Sequence, residues 1–211
     1  MFVDLLRTQD FKRSLFNAVV APRPIGWIST LNDDGTANLA PFSHFNLVSS
    51  SPAMVIFSCN TPADRAEKDT LRNVRRSGEF VVNLVSRELL FAANASSAAT
   101  PYGLDEFDMV GLAKAPSRLV APPRVAAAPA HLECRLQSVI EIEAQAPGDT
   151  TSHVVLGRVV GIHLRDSLVD AQGRFDTVGA KLMTRMGGLQ YAGIGEVVEL
   201  PAAHRRTGDP A

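Results

Sequence analysis

Residues 22–46, PRPIGWISTLNDDGTANLAPFSHFN, start and finish like the two strands of a β-hairpin, yet they carry a dense set of Ser, Thr and Asn side chains between Gly and Pro. Hydroxyl and amide groups at that density, on backbone that Gly and Pro hold open, suit hydrogen bonding to something polar. Other familiar chemistries are missing from the sequence. Residues 193–199 (GIGEVVE) lack the third glycine and the βαβ setting of a dinucleotide-binding turn, and no Walker-type loop occurs. No GxSxG elbow or Cys–His signature sets a nucleophile beside a base. Cys59 and Cys134 show no CxxC or Cys–His spacing; they read as structural thiols of a reducing compartment, and no metal site is expected.

The elements that must hold this segment are mostly strands. Residues 11–20 bring Phe11, Leu15, Ala18 and Val19 close to helical spacing before Pro22 forces the chain out of helix. Residues 23–31 read as a strand, residues 32–35 (NDDG) as its turn, and residues 36–48 as a second extended run with an irregularity around Pro41. A short strand over 53–59 and a helix over 66–76, with Leu71 and Val74 on one face and Gly78 at its end, come next. A strand over 79–85 and an Ala- and Leu-rich helix over 88–99 follow.

Residues 113–130 hold several prolines and no period, the mark of an extended surface connection. Residues 131–143 alternate most cleanly, with Leu132, Cys134, Leu136, Ser138, Ile140 and Ile142 on one face. After a turn at 146–149, residues 153–165 repeat the pattern, with Val154, Leu156, Val160, Ile162 and Leu164 expected to face inward as the second strand of a hairpin. The sum is a mainly β chain, an antiparallel barrel with inserted helices. Another turn falls at 171–174, and residues 186–195 are too apolar to hang free.

At 211 residues the chain suits one domain, here residues 1–200 including a C-terminal arm, followed by a polar tail over 201–211 expected to be disordered. It is 45% hydrophobic and 20% charged with a formal net charge of -1, which leaves no electrostatic footprint for nucleic acid or an anionic membrane. Asp4, Arg7, Asp10, Lys12 and Arg13 interrupt the N-terminus before an apolar run reaches signal-peptide length, and no run approaches the ~18 residues of a membrane span. A cytoplasmic protein is expected.

Taken as an ordered set, PRPIGWIST (22–30), NLAPFSHFN (38–46), KDTL (68–71), EFVVNL (79–84), DEF with Gly111 and Leu112 (105–112), LECR (132–135) and GRVV (157–160) resemble the flavin reductase-like, FMN-binding split-barrel family over most of the chain. The resemblance implies a Greek-key split barrel that forms a homodimer and holds FMN near the subunit interface. A flavin ring needs an apolar slot with hydrogen-bonding groups around it, many of them main chain, and the segment Ala40, Pro41, Phe42 and Ser43 would expose such groups. Donors from Ser29, Thr30, Ser43 and Asn46 would stabilise the anionic reduced ring.

Lys68 and Thr70, at a helix start, would meet the FMN phosphate, with Arg23 a second cation. Asn38, Ser58 and Asp69 complete the implied contact set. Trp27 and Phe42 could stack on a ring or belong to the core, and Tyr191 could close the pocket or serve an interface. His44 stands where the family favours an aromatic, and is a candidate proton donor. The slot where some members carry a nicotinamide-contacting histidine is Ser152 here, with His153 one residue away on the other strand face. The implied activity is an NADH- or NADPH-dependent flavin reductase that supplies reduced flavin, with a flavin-dependent oxygenase as possible partner. Two alternatives stay open: an FMN enzyme acting on its own small organic substrate, and a flavin-binding electron carrier or sensor.

Overall fold

The NDDG turn behaves as its composition asks: Gly35 takes φ 86°, its N–H reaches the Asn32 carbonyl at 3.1 Å, and the Asn32 N–H reaches the Thr36 carbonyl at 2.8 Å. In the computed structural model, which describes residues 2–5, 13–146 and 148–201, this turn joins the second and third of twelve strands seen among those residues. Helix α1 (Arg13–Val19) leads into β1 (Arg23–Pro24), β2 (Gly26–Leu31), β3 (Ala37–Phe42), β4 (Phe45–Ser50) and β5 (Ala53–Asn60). Helix α2 (Asp69–Ser77), strand β6 (Glu79–Leu84), helices α3 (Leu90–Ala95) and α4 (Glu106–Met109), and the short strands β7 (Lys114–Ala115) and β8 (Arg124–Val125) follow. The long strands β9 (Ala130–Ile142) and β10 (Ser152–Leu164), then β11 (Met183–Arg185) and β12 (Tyr191–Gly193), complete the order. Residues 11 and 12 of the expected first helix, and 202–211 of the expected tail, lie outside the described residues.

Seven strands form one antiparallel sheet in the order β3-β2-β6-β9-β10-β5-β4. Consecutive strands β3 and β4 therefore sit at opposite edges, although only Ser43 and His44 separate them. A two-residue link cannot cross an open seven-stranded sheet, so the sheet curls until its edges meet, making the split barrel. Glycines permit the approach. A Cβ at Gly26 would stand 2.7 Å from the Phe45 ring, and one at Gly157 would stand 2.3 Å from the Phe80 ring.

The barrel interior holds Ile28, Phe42, Val55, Phe57, Phe80, Val82, Cys134 and Val155, with Leu71 and Val74 of α2 packed against them. Phe57 lies 5.0 Å from Phe42 and 5.4 Å from Phe80, centroid to centroid, the latter edge-on. A second cluster forms on the other face of β2, where Trp27, Leu39, Val85, Leu89, Phe107, Val125 and Met183 pack under α3, α4 and the C-terminal strands. Strand β2 is thus covered on both faces.

Several sequence expectations need correction. The helix expected over 66–76 starts only at Asp69, and that over 88–99 is a 3₁₀ turn running into α3. The connection over 113–130 is more than a surface loop: Val125 is buried, and its N–H donates to Asn83 Oδ1 at 2.7 Å. The inward face of β10 is Val155 and its alternates, while Ile140, Ile142, Ile162 and Leu164 are exposed. Both faces of β10 carry apolar residues, so alternation alone could not choose between them there. Register shifts at Leu156/Gly157 and Val159/Gly161 also break the β9–β10 alternation.

Gly157→Ala should lower stability by about 1–3 kcal/mol through overpacking against Phe80. Urea unfolding checks this, and Phe80→Leu in the same chain should recover part of the loss relative to Phe80→Leu alone. An unchanged midpoint would mean that Phe80 yields freely.

Candidate functional site

The outer edge of β3, which no strand pairs among the described residues, is finished by side chains. Asp105, at the N-cap of α4, accepts from the Ala37 N–H at 3.2 Å, and Glu106 accepts from the Leu39 N–H at 2.8 Å. Pro41, next on that edge by the two-residue alternation, brings no N–H. Glu106 also accepts from Thr100 Oγ1 at 3.1 Å, and burial pushes its carboxyl above the ordinary range. The acidic residues of the DEF motif thus take the place of a neighbouring strand along this edge.

Beneath that edge lies a satisfied polar network. Asn38 donates to Thr30 Oγ1 at 3.1 Å and Thr70 Oγ1 at 3.0 Å, and Asn73 donates to Thr30 Oγ1 at 2.9 Å and Asn32 Oδ1 at 2.8 Å. These bonds fix the first turns of α2 against β2 and β3. The helix is closed by Gly78, whose φ of 70° lets its N–H return to the Val74 carbonyl at 2.9 Å. Lys68 caps the helix start in extended conformation, and no carboxylate among the described residues pairs with it.

Three adjoining recesses make one cleft around the Pro41–His44 corner. One is bounded by Asn38, Ala40, Pro41, Lys68, Asp69 and Thr70. A second, sharing Lys68, adds Ser43, His44, Ser58 and Cys59. The third shares Pro41 and Ser43; it is a chamber of about 510 Å³ reached by Arg23, Asn94, Arg185 and Tyr191. The Tyr191 hydroxyl donates to Asn94 Oδ1 at 3.0 Å.

Of the residues expected from sequence, Asn38, Ala40, Pro41, Ser43, His44, Ser58, Lys68, Asp69, Thr70, Arg23 and Tyr191 line this cleft. Others do not. Trp27 is sealed in the core with its indole N–H on Ser96 Oγ at 2.9 Å, so the core reading describes it. Phe42 is likewise core, against Phe57. Ser29 is buried and donates to the Pro123 carbonyl at 2.6 Å, while Thr30 is buried in the network above, so neither hydroxyl lines the cleft. Asn46 points outward and accepts from the Leu47 N–H at 2.9 Å.

Sequence reasoning missed Arg65, which holds Asp69 at 3.3 Å, and Ser97, Asn94 and Arg185. Arg65 was within sight, three residues before Lys68; Arg185 arrives from a distant strand and leaves no local signal. His44 is exposed at the rim, yet packing on one side and the charge of Arg23 lower its pKa below the ordinary histidine value. Burial pushes the Cys59 thiol up to about 11, which keeps it protonated and inert. Among the described residues no His, Cys, Asp and Glu cluster could hold a metal, and no helix is long and apolar enough to cross a membrane.

The flavin reductase like domain family model matches residues 20–179. A relative from Deinococcus radiodurans described as uncharacterized is 41% identical over 186 residues, 85% of this chain and 79% of that protein. The structure resembles nitrilotriacetate monooxygenase component B from Bacillus cereus, with TM-score 0.87 and 29% identity over 95% of this chain and 98% of that one. It also resembles 2-nitrobenzoate 2-nitroreductase NbaA from Pseudomonas fluorescens, with TM-score 0.83 and 26% identity over 100% and 99%.

Proposed function

Given that the chain belongs to the flavin reductase-like family, we propose that it binds FMN in this cleft and works as an NADH- or NADPH-dependent flavin reductase serving a flavin-dependent oxygenase. One observation carries the reading: the unpaired Lys68 ammonium, with the Ser43 and Ser58 hydroxyls, stands at one end of a cleft whose other end widens into a chamber. A cation with hydroxyl donors suits a phosphate, and a recess bounded by Ala40 and Pro41 suits a flat ring, so the donor set fits FMN. Likeness to a monooxygenase component supports an oxygenase partner.

Bound FMN would supply acceptance of an electron pair from the nicotinamide and its onward delivery, chemistry that no side chain here provides. The residues bind and orient. Lys68 would hold the phosphate, Asn38 would stay fixed by Thr30 and Thr70, and Tyr191, tethered by Asn94, would wall the far end. At neutral pH the lowered pKa leaves His44 uncharged, so any proton it donates as imidazolium is available only in more acidic solution.

A second reading, an FMN enzyme that reduces its own small organic substrate, is favoured by the roomy chamber beside the ring slot and by likeness to a nitroreductase. A homodimer belongs to both readings. Ile140 and Ile142 are exposed, and Ile140 pairs with Val154, which in turn pairs with Ser58 in the cleft, so a second copy covering this apolar outer face would border the cofactor.

Lys68→Ala should weaken FMN binding by about 1–3 kcal/mol and leave riboflavin, which lacks the phosphate, nearly unaffected. Fluorescence titration of both ligands checks it; equal losses would assign Lys68 to folding.

Anaerobic stopped-flow mixing of FMN-loaded protein with NADH and with NADPH should bleach the flavin with at least one of them. Loaded protein inert to both would remove the reductase reading. His44→Phe should leave that half-reaction within a few-fold, whereas a substrate-reduction step using His44 as acid would fall roughly 10²-fold. Loss of FMN from the variant would instead place His44 in the cofactor cradle.

Sedimentation at micromolar concentration should give a dimer, and Ile140→Lys should shift it toward monomer. A wild-type monomer that retains FMN would refute the interface.

A further inference from the structure

The 510 Å³ chamber carries a charge that the placement proposed above, with the FMN phosphate on Lys68, does not use. Strand β1 pairs antiparallel with β11 so that Arg23 and Arg185 are direct cross-strand partners, and both line the chamber. Like charges directly opposite are unfavourable. Among the described residues no carboxylate pairs with either one.

The two arginines are not equivalent. Arg23 is buried and spends its terminal nitrogens on main chain: Nη1 donates to the Asn17 and Val20 carbonyls, and Nη2 to the Met186 carbonyl at 2.9 Å. Its Nε is buried with no hydrogen-bond partner. Burial, and then the neighbouring Arg185 charge, lower its pKa. Arg185 is half-buried and held in place, its guanidinium 4.5 Å over the Tyr191 ring and Nη2 donating to the Gly188 carbonyl. A guanidinium has five N–H donors, so most of those on Arg185 remain for a ligand. Ile25, Leu90 and Tyr191 supply apolar wall beside them, and the Asn17 and Asn94 amides add polar lining.

The geometry points to a binding site for a small organic carboxylate with an apolar or aromatic body, its carboxylate on Arg185 in the field of Arg23 and its body against Ile25, Leu90 and Tyr191. A fixed guanidinium suits a planar carboxylate, and partial exclusion of water strengthens the pairing. That this ligand lies beside the flavin rests on the function proposed above. Its anionic character rests on the arginines alone.

The probes are benzoate and its neutral isostere benzamide, titrated calorimetrically into FMN-loaded and flavin-free protein. Benzoate should bind at least about 10-fold more tightly than benzamide, as expected for one charge-assisted contact. Arg185→Gln should cost benzoate about 10-fold or more and leave benzamide within about threefold, while Arg185→Lys should recover part of the benzoate loss. Equal binding of benzoate and benzamide, or indifference of benzoate to Arg185→Gln, overturns the site. A parallel loss of FMN and benzoate in Arg185→Gln also overturns it, because the arginine would then serve the flavin or the fold. If wild-type protein fails to bind FMN, the flavin reading falls, yet the benzoate preference of the flavin-free protein still decides the anion site.

Discussion

Two residues close this molecule. Ser43 and His44 join strands that lie at opposite edges of a seven-stranded sheet, and everything else accommodates that short link. The sheet must curl, which brings the Phe45 ring onto the bare backbone of Gly26 and the Phe80 ring onto that of Gly157. Phe57 is then caught between Phe42 and Phe80, so the link also determines how the interior packs. Polar residues survive at the closure because the corner faces outward, between Lys68 and the Arg23 chamber.

A barrel closed in this way still leaves the outer edge of β3 without a strand partner. The Asp105 and Glu106 carboxylates stand in for one, taking the Ala37 and Leu39 N–H groups. Leaving two such donors buried and unsatisfied would cost about 1–3 kcal/mol each. Acidic side chains cover the edge with less bulk than another strand would, so Ala40 and Pro41 remain open beside them. The buried carboxylate of Glu106 and the Asn38–Thr70 network are therefore structural chemistry, and their effect on function is to keep the start of α2 in register with β3.

Much of this was legible because it is local. The NDDG turn, the strand runs on either side of it, and the KDTL helix start could be read directly, and the ordered motifs carried the family. The glycines of PRPIGWIST and GRVV have a plain reason for their identity once the phenylalanine rings are seen against them. What could not be read depends on which face closes. Ser29 and Thr30 sit among residues that read as ligand contacts, but β2 is buried on both faces and their hydroxyls are consumed internally. Ile140, Ile142 and Ile162 fit the same alternation as core residues and are exposed, because barrel curvature and two register shifts select the other face. Arg185 reaches the chamber through strand pairing across more than half the chain, a relation that no short motif encodes.

Arg23 shows how the far ends of the chain depend on one another. Its guanidinium takes carbonyls from Asn17 and Val20 at the end of α1 and from Met186 in the C-terminal hairpin, so one side chain ties the N-terminal helix to the C-terminal strands. The bonds to α1 also meet the negative end of that helix's dipole. The same charge helps to keep His44 unprotonated, and lies opposite Arg185. A neutral replacement of similar size would loosen the chamber walls and relax the imidazole toward its ordinary titration together. For that reason Arg185, which holds less of the fold, is the better probe of what the chamber binds, and Arg23 the better probe of how the chamber walls are tied together.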